Sequence, residues 1–391
     1  MTPQSAFASA LSLLQQMIAI PSVSRDEQAV ADMLQAQMAR LSGLEVHRHH
    51  NNLWLVAPGF DATRPTLLLN AHLDTVRPAA SWQRDPFTPT IEEITLPDGT
   101  TQQRLYGLGA NDDGASLVSL LHVFVMLCEA GPLNSNLIFL ASAEEEVSGK
   151  NGIDSVLNND GPLAWLTRSD APVVAVVGEP TGMQPAIAEK GLVVLDGVAY
   201  GKSGHAARNE GINALYRAVD AITVLRNYAF TQVSETLGPV KVTVTGIQCG
   251  TTHNVIPDHC TFMVDCRTTD AYTNEEVVAQ LQNAIGAVTT ADEAALPSVT
   301  LSPRSTRLQA SGISTDHPIV SQLIALGRQP FGSPTLSDQA LMRFPSLKVG
   351  PGQSSRSHTA DEYICPNEIR EAISLYYTWL STYLQPREFS Q

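Results

Sequence analysis

The sequence predicts an α/β fold, a mostly parallel twisted sheet with helices on both faces, interrupted by a ferredoxin-like α+β unit. Three observations predict it. Near-continuous apolar strands alternate with helical stretches early in the chain and again near its end, as in sheets covered on both faces. A β-α-β-β-α-β succession occupies the middle. And 391 residues, 43% of them hydrophobic, suit two domains better than one. The expected boundaries are 1–185 for the first part of the α/β domain, 186–311 for the insertion and 312–391 for the second part.

The opening stretch "MTPQSAFASALSLLQQMIAI" has helical periodicity and no basic n-region, so it reads as an amphipathic helix and not a signal peptide. "IPSVSRDEQAVADMLQAQMARL" begins with a capping box, Ser24 followed by Glu27. Val30, Met33, Leu34, Met38 and Leu41 then share one helical face. The strand "PTLLLNAH", the helix "GASLVSLLHVFVMLCEAG" and the strands "NLIFLASA" and "PVVAVVGE" follow. The insertion supplies the strand "GLVVLDGVAY", the helix "GINALYRAVDAITVLRNY", the strands "VKVTVTGIQ" and "HCTFMVDCRT", the helix "NEEVVAQLQNAIGAV" and the strand "SVTLSPRSTRLQ". These strands alternate more, as expected when one face stays open. "SLKVGPG" and the helix "PNEIREAISLYYTWLSTYL" close the pattern.

Composition narrows the partners. A formal net charge of −15 argues against nucleic acid and anionic membrane surfaces. No apolar stretch reaches the roughly 18–20 residues that span a bilayer. Five cysteines without a C-x-x-C pair read as reduced core residues, which makes the cytoplasm the expected compartment.

The polar residues gather where the apolar strands end. His72 and Asp74 close one strand in "NAHLDTV"; a ring nitrogen beside a carboxylate suits metal binding or proton transfer. Glu144, Glu145 and Glu146 close another, and Glu179 in "VVGEP" a third. Asp112 and Asp113 in "GLGANDDGAS" precede a helix, and "GPGQSSRSHTADEY" brings His358 just after the last strand. Open α/β sheets bind ligands outside the carboxyl ends of their strands, so five segments would converge there. Carboxylates packed that closely repel unless cations neutralise them, and two divalent metals do so better than one. Histidine with carboxylates and no thiolate suits zinc, cobalt or manganese.

The set "HLD", "GLGANDDGAS", "AEEE", "VGEP", "GKSGHAA", "HNVIP" and "SHTADEY" resembles the dinuclear-zinc amidohydrolase and exopeptidase family. That family includes acetylornithine deacetylase, succinyl-diaminopimelate desuccinylase and glutamate carboxypeptidase. The resemblance runs from about residue 18 to the C-terminal helix. It implies two divalent ions, zinc first, with His72 and Glu179 as ligands of one, Glu146 and His358 as ligands of the other, and Asp112 as the bridge. It implies that Asp74 orients His72, and that Glu145 is the general base, passing a proton from the bridging water to the leaving amine. His205 would stabilise the oxyanion from the neighbouring subunit of a dimer built through the insertion, which would also act as a lid. Asn254 and Arg267 match positions that hold a substrate carboxylate or developing charge. The family's D-x-K-G segment lacks its lysine here.

The remaining motifs exclude other chemistry. "HRHH" at 47–50 has no carboxylates beside it and reads as a solvated face; His122, inside an apolar helix, reads as a core histidine. "GLGAND" fails as a dinucleotide fingerprint because Asp112 holds its third glycine position. There is no G-x-S-x-G elbow and no Walker motif. The resemblance therefore implies a metal-dependent amide hydrolase that removes an acyl group from a small-molecule N-acyl amino acid. "IPSVSRDE", "NAHLDTV" and "SHTADEYI" look most like acetylornithine deacetylase-type members, so an N-acyl ornithine or citrulline of arginine biosynthesis comes first. Succinyl-diaminopimelate or a dipeptide comes second. A dimeric scaffold without turnover would lack a ligand or the base, and none is missing.

Overall fold

Four apolar runs become the parallel centre of one sheet in the computed structural model, which describes residues 1–158, 160–208, 210–288 and 298–384. The principal elements begin with α1 (Pro3–Ile18), α2 (Gln28–Ser42), β1 (His47–His49), β2 (Asn52–Val56) and β3 (Thr66–His72). A hairpin of β4 (Thr90–Thr95) and β5 (Thr101–Tyr106) precedes α3 (Ala115–Glu129), β6 (Asn136–Ser142) and β7 (Val173–Val177). Then come β8 (Gly191–Tyr200), α4 (Ala214–Asn227), β9 (Lys241–Cys249), β10 (His259–Thr268), α5 (Asn274–Val288) and β11 (Val299–Pro303). The chain finishes with α6 (Pro318–Ala325), β12 (Ser346–Lys348) and α7 (Pro366–Leu384).

Two compact units result. One comprises Met1–Ile187, Gly312–Phe331 and Ser337–Gln391; the other comprises Ala188–Ser311 and Gly332–Leu336. In the first, strands are hydrogen-bonded in the order β1-β2-β6-β3-β7-β12. β3 runs parallel to β6 and β7, and β12 parallel to β7, while β1 and β2 form an antiparallel edge. Every residue of β3, β6 and β7 is buried, because both faces are covered. Phe124 of α3, Phe139 of β6 and Tyr376 and Trp379 of α7 share one core. The Trp379 indole donates to the Ile319 carbonyl at 2.8 Å, which satisfies the one polar atom that its burial would strand. His122 is a core histidine: its Nδ1 lies 2.7 Å from the Val118 carbonyl and its Nε2 2.9 Å from the Ser9 hydroxyl.

The capping box does not form. α2 starts at Gln28 behind Glu27, and the Ser24 hydroxyl donates to Asp74 Oδ2 at 2.6 Å. A buried carboxylate competes better for that donor than a helix end does, since charge-assisted bonds are about twice as strong as neutral ones. The antiparallel strands β1, β2, β4 and β5 are additions to the sequence expectation.

The second unit is an antiparallel sheet in the order β9-β10-β8-β11, the ferredoxin-like arrangement. α4 and α5 contribute Ala214, Ala218, Leu225, Val277 and Leu281 to its core, where Cys260 and Cys266 face the same side. β9 lies at the edge of that sheet.

Candidate metal centre

The parallel register sets the site. His72 ends β3 opposite Ser142, the last residue of β6, while Asn70 and Lys348 both stand beside Val177, the last residue of β7. The segments that follow these ends therefore emerge at one edge of the sheet. His72 Nδ1 lies 2.9 Å from the Asp74 carbonyl oxygen and 3.6 Å from Asp74 Oδ1. Facing a carbonyl, Nδ1 must carry the ring proton, which leaves Nε2 aimed at Asp112 Oδ1, 3.2 Å away. Asp112 Oδ2 lies 3.6 Å from His358 Nε2, and that ring is 2.9 Å from Glu146 Oε2. One carboxylate thus presents an oxygen to each of two histidines. Ligand atoms of His72, Asp112 and Glu146 all lie within 4.8 Å of one another.

The three consecutive glutamates separate. Glu144, left-handed at φ 53°, turns its carboxylate to Asn151, whose side-chain amide donates at 3.0 Å. A Cβ on Gly149 would come 1.8 Å from Glu144 Oε2, so glycine is required beside it. Glu145 and Glu146 lie on the following turn, where Asp74 accepts both their backbone N–H groups, at 3.1 and 3.3 Å. Asp74 therefore fixes the glutamate turn as well as His72.

The electrostatics ask for cations. Burial alone would lower the pKa of His72, but bonds to Asp112 and Asp74 outweigh it and hold it well above 6.5. The bond to Glu146 raises His358 to about 9. Burial, with the charges of Glu179, Asp338 and Glu146, holds Glu145 well above the carboxylate range; burial and Asp112 do the same for Glu179. Protons occupy the places where a positive charge is needed, between ring nitrogens and carboxylate oxygens. The donor set fits divalent metals, which displace such protons on binding.

This has a measurable consequence. Burial raises Asp338 to about 7 and Asp113 and Glu362 to about 8. Together with His72 and His358, they make the metal-free folded chain hold protons that the unfolded chain has released. Its stability is therefore greatest at the acid side of this window and is lost as pH rises from about 6 to about 9. Calorimetry in chelator should show the melting temperature falling across that range, and saturating zinc should remove the fall. A chelated protein that gains stability toward about pH 9 would contradict the cluster.

Glu362 and Asp338 were not among the sequence candidates. Glu362 is 2% exposed, and its carboxylate accepts the backbone N–H groups of Asn111 (2.7 Å), Asp112 (2.9 Å) and Gly109 (3.3 Å). Its signal was the acidic pair directly after "SHTA". Asp338 accepts from the Ser142 hydroxyl at 2.5 Å, and nothing in "TLSDQAL" marks it.

His205, Asn254 and Arg267 belong to the other unit. Gly204 and His205 pair with Ile256 and Val255, so the "GHAA" and "HNVIP" segments lie side by side, and both His205 and Asn254 are exposed. The Arg267 guanidinium donates through Nε and Nη2 to Asp265, at 2.9 and 3.2 Å.

Known proteins agree with this frame. The profile of peptidase family M20/M25/M40 matches residues 68–382. The chain belongs to that family. This M20 chain is a metal-dependent hydrolase, and its fold is shared with solved M20 structures. An M20 family metallo-carboxypeptidase from Sulfolobus solfataricus superposes with a TM-score of 0.72 at 19% identity, covering 96% of this chain and 99% of that one. A dinuclear metal binding peptidase of the family from Bacillus subtilis gives 0.71 at 15%, with 97% and 99% covered. Succinyl-diaminopimelate desuccinylase of Corynebacterium glutamicum is 26% identical to the M20 chain over 380 residues, 94% of this chain and 95% of the relative. Acetylornithine deacetylase of Myxococcus xanthus is 30% identical over 329 residues, 80% and 79%. No helix among the described residues is long and apolar enough to cross a membrane.

Proposed function

We propose that this M20 hydrolase removes the acyl group from an N-acyl diamino acid at a dinuclear site. The observation that carries the reading is Asp112, with one oxygen toward His72 and the other toward His358. His72 and Glu179 would hold one ion, Glu146 and His358 the other, with Asp112 shared between them. When bound, such ions neutralise the acids, polarise the scissile carbonyl and make water acidic enough to ionise near neutral pH. Zinc is the first choice of metal. Glu145 takes a proton from the attacking water and returns it to the nitrogen as the C–N bond breaks, a role worth about 10²–10⁴-fold.

The motifs and the relatives support two substrates. N-acetylornithine is the first compound, on the motif resemblance and the Myxococcus relative. N-succinyl-diaminopimelate is the second reading, favoured by the near full-length match to the Corynebacterium desuccinylase. Both carry an acylated amine on an amino acid with a second amine. The test is release of free amine, with zinc supplied, from these two, N-acetylcitrulline, N-succinylornithine, N-succinylcitrulline and two dipeptides. Turnover of dipeptides alone would overturn the diamino-acid reading.

The inserted unit is assigned to dimerisation. β9 is an edge strand with Ile247 47% exposed, and α4 leaves Tyr216 68% and Val219 47% exposed. A second copy would cover them, and His205 would serve the partner's site with Asn254 and Arg267 toward the substrate. Sedimentation should give a dimer, with turnover lost in His205→Ala. A fully active monomer would refute it.

A further inference from the structure

Of the segment "SHTADEY", only His358 enters the site proposed above. The next two acids face different parts of the same unit. Asp361 Oδ1 accepts from the backbone N–H groups of Gln83 (3.1 Å) and Arg84 (3.0 Å), and its Oδ2 lies 3.3 Å from Arg84 Nη1. Glu362 accepts from the N–H groups of Gly109, Asn111 and Asp112, as described. From the opposite side, the Asn111 side chain accepts from the Gln353 N–H at 3.0 Å. It also donates to the Gln353 carbonyl at 3.1 Å and the Ser357 hydroxyl at 3.3 Å. Between these attachments sits His358, at φ 58°, with Asp361 at φ 55°. Histidine and aspartate adopt that left-handed backbone more readily than most residues with side chains, and the attachments on either side hold it here.

We infer that Glu362, with Asn111, is a positioning residue that locks the Asp112 loop to the His358 loop, so that the two side chains meet across one metal. The inference rests on the reading of Asp112 as the shared ligand. One of the atoms that Glu362 holds is the backbone nitrogen of Asp112 itself, at 2.9 Å, so any drift of that N–H carries the ligand carboxylate with it. A buried carboxyl group is the right acceptor, because its two oxygens take three backbone N–H groups at once and water does not compete for them. Asn111 closes the clamp from the other side with a neutral amide that both donates and accepts. Asp361 anchors the base of the His358 loop to residues 83–84. None of the three needs to touch substrate.

Partners that orient metal ligands typically cost about 10–100-fold in metal affinity when replaced. The test is zinc affinity of the metal-free full chain, read by competition with a chromophoric chelator, for wild type, Glu362→Gln, Glu362→Ala and Asp112→Ala. Glu362→Gln keeps the shape but sets an NH2 group against a backbone N–H. It should bind zinc about 10-fold more weakly while the metal-free melting temperature stays near wild type. Its activity should return with excess zinc at unchanged KM. Should Glu362→Ala fail to fold, Glu362→Gln decides alone. Wild-type zinc affinity in Glu362→Gln beside a weakened Asp112→Ala overturns the inference and leaves the shared-ligand reading intact. Wild-type affinity in Asp112→Ala overturns that reading, and the inference with it. Lost activity that zinc does not restore would also overturn the inference, because it would place Glu362 outside metal positioning.

Discussion

Glu145→Gln should keep its metal and lose at least about 100-fold in turnover, the lower end of the general-base range. The substitution conserves volume, and the backbone that carries it is held from below, since Asp74 accepts the N–H groups of both residue 145 and residue 146. What changes is the ability to receive a proton. An amide oxygen can accept a hydrogen bond from water but cannot keep the proton and hand it to the leaving nitrogen. Elemental analysis and kcat on the same preparation separate the outcomes. Metal loss with activity loss would make Glu145 a ligand, and retained activity would pass the base role to another residue.

Asp74→Ala is expected to do damage of a different kind. Asp74 is 1% exposed, and its carboxylate serves Ser24, Glu145 and Glu146 and stands 3.6 Å from the His72 ring. Removing it leaves buried donors without acceptors, at about 1–3 kcal/mol each. It also frees the base and a metal ligand together, while His72 keeps its bond to the carbonyl of residue 74. Zinc affinity should weaken by about 10–100-fold. Turnover should fall even at saturating zinc, because the base has moved. The double variant with Glu145→Gln should lose less than the product of the single losses, since both act on one unit. Strictly multiplicative losses would mean that Asp74 acts through His72 alone.

The sequence was most informative where chemistry and strand period coincide. His72 and Asp74, Glu145 and Glu146, Glu179 and His358 stand just past apolar runs, and a parallel sheet gathers such positions by its nature. The insertion was legible for the same reason, through its alternating strands. Three things were hidden. Whether Glu144 or a neighbour meets the site depends on a left-handed residue and on the open space at Gly149. The role of Asp74 toward the glutamate turn is made between segments some 70 residues apart, beyond any local spacing. Ser24 looked like a cap because its neighbours fit one, and only the folded chain shows the carboxylate that takes its hydroxyl. Asp338 and Glu362 share that difficulty: a lone acid carries no periodicity.

The placement of β12 has a consequence for how the protein is made. Ser346–Lys348 pairs with β7, yet the ribosome delivers it about 170 residues later, after the whole of 188–311. Until then the apolar run Val173–Val177 has an open hydrogen-bonding edge, and the core lacks Tyr376 and Trp379. The acids proposed as metal ligands are likewise all present before His358. Residues 188–311, with a core and a nearly contiguous stretch of their own, are positioned to fold early. The flanking unit must wait for the end of translation, exposing a sticky sheet edge in the meantime. The late steps of refolding should therefore be the ones that aggregation competes with, and a chain stopped before residue 346 should accumulate as inclusion bodies.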